Sequence, residues 1–203
     1  MSYAKDVFWE AYREYVASSQ ELHAWMCSTL MSRYLKYNSQ PKLAYDLGCG
    51  RCREGRRVFP AVSMIATDTD ASVRPDRVID YRDLDSIAKS MSSNAADSFV
   101  SMFSVEISAP PAENNEYYLE LFRRVPSLRC GLSYGFYYSD RRHDEQVNEA
   151  EAGINEGDAY QTIGDLIAPQ HLVETRLSAR NPSKLFGPNV VDVARFFFRA
   201  DQP

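Results

Sequence analysis

The sequence predicts an α/β domain: three layers around a mostly parallel sheet of seven strands, with one antiparallel strand from a C-terminal hairpin and helices ahead of the first strand. Three observations lead there. From Leu43 onward, short apolar runs alternate with polar, helix-compatible stretches, the pattern of strands joined by crossover helices. Several of these runs are nearly continuous in apolar residues over about five positions, as strands buried on both faces of a parallel sheet require. The last two runs are joined by a stretch too short for a crossover helix, so they pair antiparallel.

Taken in order, residues 3–37 carry Val7, Phe8, Ala11, Tyr12, Tyr15, Val16, Leu22, Trp25, Met26, Leu30 and Tyr34 at helical spacing. The polar "ASSQE" near residue 20 divides this stretch into two helices, and Pro41 disfavours helix in the residue before it and ends the second. The strands that follow are "KLAYDLG", "AVSMIATD", "DRVIDY", "DSFVSMFSV", "SLRCGLSYGFYY", "HLVETRLSA" and "VVDVARFFFRA". "DLDSIAKSMS" and "AENNEYYLELFRRV" read as helices, the second with Tyr118, Leu121, Phe122 and Val125 on one side. Pro75 leaves little room for a helix between the second and third strands. Residues 140–160 are polar enough for a mobile loop or an exposed helix, and no internal repeat interrupts the pattern. One domain results, with residues 1–40 as a helical extension and 41–203 as the core.

Composition narrows the function classes. A chain of 203 residues with 44% hydrophobic and 25% charged residues is ordinary for a globular domain. Its apolar stretches are far shorter than the roughly 20 residues of a membrane helix, and "MSYAKDVFWE" lacks the apolar centre of a secretory signal. Cys27, Cys49, Cys52 and Cys130 are too scattered for a disulfide framework, so a reducing, cytoplasmic setting is expected. A formal charge of -5 argues against a nucleic-acid grip over the whole surface, and the cluster Arg51, Arg53, Arg56 and Arg57 reads first as a solvated helix face.

"YDLGCGRCREG", residues 45–55, admits two readings. Cys49 and Cys52 form a C-x-x-C that could serve dithiol chemistry at a helix N-terminus, but Gly48 and Gly50 have no part in that chemistry. A zinc site needs two further ligands, and neither Cys27, Cys130 nor the histidines supply a second pair at short spacing, so no metal is expected. As a nucleotide loop, the acid Asp46 at the strand end is followed by two glycines that allow a sharp turn and close backbone approach to a ligand. The dinucleotide fingerprint would place a third glycine at position 53, where Arg53 stands.

These residues resemble the first motif of the Rossmann-like, class I S-adenosylmethionine-dependent methyltransferases: an acid, any residue, then Gly-x-Gly after the first strand. The resemblance spans residues 43–199, about three quarters of the chain. It implies a cofactor site of Asp46, Gly48, Cys49 and Gly50, with Asp68, 22 residues beyond Asp46, and its neighbour Thr69 at the end of the second strand. In the family that acid binds the ribose hydroxyls, because a carboxylate can accept two hydrogen bonds from a vicinal diol. Asp70 is the fallback if the strand ends later. "VIDYRDLDSI" resembles the segment bordering adenine, which puts Asp80 and Tyr81 beside the base, and "ADSFVSMFSVEIS" resembles the fourth strand, whose end, Phe103 and Ser104, lines the pocket. The final strands match the family's reversed last strand. Two departures stand out: Cys52 replaces a third glycine found in many members, and the helix after the second strand has little room.

The resemblance implies transfer of a methyl group from S-adenosylmethionine, leaving S-adenosylhomocysteine, with few obligatory catalytic side chains. Glu106 is the candidate proton acceptor, its plainer reading being a solvated loop carboxylate. Tyr134, Phe136, Tyr137 and Tyr138 lie near the expected acceptor site, at least half of them as packing. His23, His143 and His171 read as surface residues, and Trp9, Tyr12 and Tyr15 either cap the pocket or dock on the sheet. "SAPPAEN" lacks the aromatic that follows Asp/Asn-Pro-Pro in base N-methylases, so Pro110 and Pro111 are a loop stop, and none of the five lysines stands at a strand end as in RNA ribose methylases. The expected substrate is a small molecule, with no membrane partner and nucleic acid disfavoured. The alternatives are a cofactor-binding but inactive regulatory subunit and a C-x-x-C dithiol oxidoreductase.

Overall fold

Strand pairing in the computed structural model produces one sheet of eight strands, in the order β3-β2-β1-β4-β5-β8-β7-β6. The structure describes residues 2–51, 53–59, 61–106, 111–138, 161–162, 172–180 and 190–199. The strands are β1 (Leu43–Leu47), β2 (Ser63–Asp68), β3 (Arg77–Val78), β4 (Ser98–Met102), β5 (Cys130–Tyr138), β6 (Gln161–Thr162), β7 (Leu172–Arg180) and β8 (Val190–Arg199). β3, β2, β1, β4 and β5 run parallel, whereas β8 is antiparallel to both β5 and β7. The sequence predicts seven strands; the eighth is β6, a two-residue edge paired antiparallel to β7.

The continuous apolar runs form the middle of this sheet because helices cover both of its faces. On one side lie α1 (Ser2–Leu35) and α2 (Glu54–Val58), on the other α3 (Leu84–Ser93) and α4 (Pro111–Arg124). Met26, Cys27, Leu30 and Tyr34 of α1 recur at spacings of one, three and four residues and pack on Val100, Met102, Leu132 and Phe196. On the opposite side Ile87 and Met91 of α3 and Tyr118, Leu121 and Phe122 of α4 meet Tyr45, Leu47, Phe99 and Phe197. Asp83 caps α3, its carboxylate accepting from the Ser86 N–H at 3.1 Å.

One expectation about helices changes and another holds. α1 is one helix where two were expected, because "ASSQ" contains neither glycine nor proline to end it. Between β2 and β3 the chain makes only a 3-10 turn, Ala71–Val73, as the short Pro75 segment dictates. No described helix is long and apolar enough to cross a membrane. The side chains of Trp9, Tyr12 and Tyr15, the side chains of Phe136, Tyr137 and Tyr138, and the residues Cys52, Pro110, His143, His171 and 140–160 lie outside the described set.

Candidate functional site

The strand order reverses between β1 and β4, and in open α/β sheets that switch point, at the carboxyl ends of the strands, is where ligands bind. The loops after β1, β2, β3 and β4 meet there and carry most of the sequence-predicted residues. The glycine loop follows β1 with Gly48 at φ 69° and Gly50 at φ 55°, both left-handed. Cys49 N–H between them donates to the Thr67 carbonyl at 2.8 Å, which seats the loop on the end of β2.

Asp68 ends β2 and faces this loop. Its Oδ2 accepts from the Gly50 N–H at 2.9 Å and its Oδ1 from the Asp70 N–H at 2.9 Å. Each carboxylate oxygen has a second lone pair, so the group is fixed in orientation while retaining acceptor capacity. Thr69 beside it is exposed. Arg53 braces the same corner: with φ 49° its guanidinium donates to the carbonyls of Val73, at 3.2 Å, and Arg74. The glycine loop and the turn after β2 are thereby clasped together.

Asp46 occupies a different position, beneath the loop. Strand alternation turns Tyr45 and Leu47 toward α3 and α4, so Asp46 points toward α2, where a Cβ added to Gly55 would lie 2.7 Å from its Cγ. The side chain is 1% exposed and neither carboxylate oxygen has a hydrogen-bond partner. Burial pushes its pKa up to about 7; Arg53 and Arg56 pull it down, and Asp68 and Glu54 push it further up. Cys49 is also buried, and burial pushes its thiol up to about 12, so it is no activated thiolate.

On the side of β4, Tyr81 and Ser104 close against Gly48. The Tyr81 hydroxyl donates to the Ser104 carbonyl at 3.0 Å, and the Tyr117 hydroxyl donates to the Tyr81 carbonyl at 2.8 Å. Ser104 Oγ bonds the Leu47 carbonyl and lies 3.1 Å from Ser101 Oγ. Asp80, expected beside the adenine, holds Arg82 at 2.8 Å, and that hydrogen bond keeps its carboxyl below the usual range. Phe103 also departs from expectation. It adopts φ 71°, which sends its ring to the α1 face against His23, at 5.1 Å between centroids, and Tyr134, at 5.3 Å. His23 is therefore buried and not a surface residue, and burial lowers its pKa to about 3.

Glu106 requires a larger correction. It is 2% exposed, not solvated, and its carboxylate lies under α4, accepting from the hydroxyls of Tyr118 and Ser133 at 2.7 Å each. Arg195 of β8 approaches it at 3.4 Å and binds Glu174 of β7 at 2.7 Å, with Asn115 as a further acceptor. Burial opposes the Arg195 charge, and Glu106 and Glu174 more than reverse this, holding the guanidinium firmly protonated. A carboxylate committed to this network does not open onto the glycine loop. The sequence signal was present but unread: opposite charges, Glu174 and Arg195, inside two apolar runs that pair with each other.

No protein-family model matches the chain, and no curated protein matches it. Among solved structures it is similar to the plantazolicin methyltransferase BpumL in complex with S-adenosylhomocysteine, with a TM-score of 0.52 and 12% identity over 93% of this chain and 89% of that one. It is also similar to the methyltransferase domain of bacterial CtHen1, with a TM-score of 0.42 and 12% identity over 85% of this chain and 96% of that one. The PH0226 protein from Pyrococcus horikoshii has a TM-score of 0.40 and 14% identity over 93% of this chain and 91% of that one. The fold is that of the class I S-adenosylmethionine-dependent methyltransferases.

Proposed function

We propose that this chain binds S-adenosylmethionine at the β1/β4 switch point and transfers its methyl group to a small-molecule acceptor. The observation that carries this reading is the Asp68 carboxylate, fixed at the end of β2 and turned toward the Gly50 N–H. The residues fit the group: Asp68 retains two acceptor sites for a ribose diol, and Asp46 stands beneath the glycine loop as a buried carboxylate with no hydrogen-bond partner. Gly48 and Gly50 would carry the backbone close to the ligand. When bound, the sulfonium supplies an activated methyl group.

The chain's own contribution is position and exclusion of water more than acid–base chemistry. Asp68 and the Arg53 clasp orient the ribose end. Glu106 is better suited to hold the 103–106 turn against β5 and α4 than to take a proton, because Arg195, Tyr118 and Ser133 use its oxygens. That same commitment favours a second reading, a cofactor-binding subunit without activity of its own. The high thiol pKa of Cys49 speaks against the dithiol reading.

Titration calorimetry with S-adenosylhomocysteine tests the site. One-to-one binding is expected, weakened about 10–100-fold by Asp68→Ala, since hydrogen bonds to a charged group are worth about 1.5–3 kcal/mol. Cys49→Ser should leave affinity nearly unchanged. An undiminished affinity in Asp68→Ala would refute the site. Methyl transfer from a labelled donor to a metabolite panel then separates the enzyme from the inactive subunit.

A further inference from the structure

The crevice between the ends of β1 and β4 is spanned by a side chain of the protein itself. Tyr81 leaves the loop after β3 and reaches the Ser104 carbonyl with its hydroxyl, at 3.0 Å. Its ring passes beside Gly48: a Cβ placed on that glycine would be 3.4 Å from Tyr81 Cδ1, and 2.5 Å from Ser104 Cβ. The loops after β1, β3 and β4 are thus drawn into contact beside the glycine loop. Tyr117 of α4 fixes the base of this arm through the Tyr81 carbonyl, and its ring stands edge-on to that of Tyr81 at 6.5 Å. The arm's other side faces water, where Arg82 lies over the ring at 5.8 Å. Half-buried Tyr81 packs on the edge of the core under α3 and α4 and is held at its tip by one neutral hydrogen bond, so outward rotation breaks that bond and gives up this edge packing.

We propose that Tyr81 is a latch: its hydrogen bond to the Ser104 carbonyl closes the β1/β4 crevice and must break before an adenosyl compound can enter. This rests on the cofactor reading above and assigns its regulation. The physical consequence is that only the fraction of molecules with the latch open is competent to bind, so the observed affinity is reduced by that fraction. Removing the tip hydroxyl while keeping the ring should raise the open fraction by roughly fivefold, the weight of one ordinary hydrogen bond.

The test compares wild type, Tyr81→Phe and Tyr117→Phe by calorimetry and by stopped-flow binding of S-adenosylhomocysteine. The latch predicts that the wild-type binding rate levels off at high ligand because opening limits it. Tyr81→Phe should lift that plateau and bind about fivefold more tightly, with Tyr117→Phe shifting both quantities in the same direction by less. Equal affinities and no plateau would overturn the latch while leaving the cofactor site in place. Weaker binding by Tyr81→Phe would also overturn it, by making the hydroxyl a ligand contact. Absence of binding in all three proteins would overturn the latch and the cofactor reading together.

Discussion

Replacing Asp46 with asparagine should stabilise the protein at high pH and do little at low pH. The carboxylate is 1% exposed, without a hydrogen-bond partner, and packed on the backbone of α2. Arg53, Arg56, Asp68 and Glu54 are the charged groups around it, and burial outweighs the two arginines, raising its pKa from 3.8 to about 7. Because the folded value lies above the unfolded one, the folded state holds the proton more tightly. This group's contribution to stability is therefore full below about pH 4 and is lost as pH rises through 7. Keeping the ionised form buried costs about 4 kcal/mol at 1.36 kcal/mol per pKa unit. An asparagine avoids that cost but buries an unsatisfied amide, at about 1–3 kcal/mol. The net gain above pH 8 is about 1–3 kcal/mol, or roughly 5 °C in Tm for a chain of this size. Thermal unfolding of both proteins at pH 5 and pH 9 measures it. A Tm difference near zero at pH 5 and positive at pH 9 is expected; the same difference at both pH values, or a loss at pH 9, would refute the reasoning.

Three other outcomes follow from the same geometry. Gly48→Ala should destabilise by about 2–4 kcal/mol in urea unfolding, because it combines left-handed strain with overpacking against Ser104. Gly50→Ala, left-handed but with open space around it, should cost only about 1 kcal/mol, and equal costs at the two positions would contradict the packing described. Arg195→Met should cost about 3–5 kcal/mol by leaving Glu106 and Glu174 buried without their guanidinium, and adding Glu106→Gln and Glu174→Gln should recover most of it. A single-variant loss below about 1 kcal/mol would mean the network is not charged as described.

The interior of the fold was readable from the sequence because β1, β4 and β5 are covered on both faces and so appear as largely apolar runs. α4 was readable for the complementary reason, a one-sided stripe of Tyr118, Leu121, Phe122 and Val125. β6 was not, since two polar residues at a sheet edge carry no periodicity. Continuity of α1 through "ASSQ" was misjudged because polarity was read as a break, although only glycine or proline would force one. His23 was misplaced for a related reason: its polar neighbours drew attention away from its place on the stripe with Met26, Cys27 and Leu30. Within the site, Asp68 was legible because an acid at a strand end has a local cause. The burial of Glu106 was not, because it depends on Arg195, a partner 89 residues away in sequence. Tyr81 was expected beside an adenine, but its bond to Ser104 is set by the convergence of three loops, which no local pattern encodes.

A crystal structure with S-adenosylhomocysteine tests the central claim most directly. The account predicts the nucleoside over Gly48 and Gly50, both ribose hydroxyls on the Asp68 carboxylate, and the Tyr81 hydroxyl parted from Ser104. A nucleoside bound elsewhere, or a bound complex in which Asp68 makes no contact with the ribose, would contradict it.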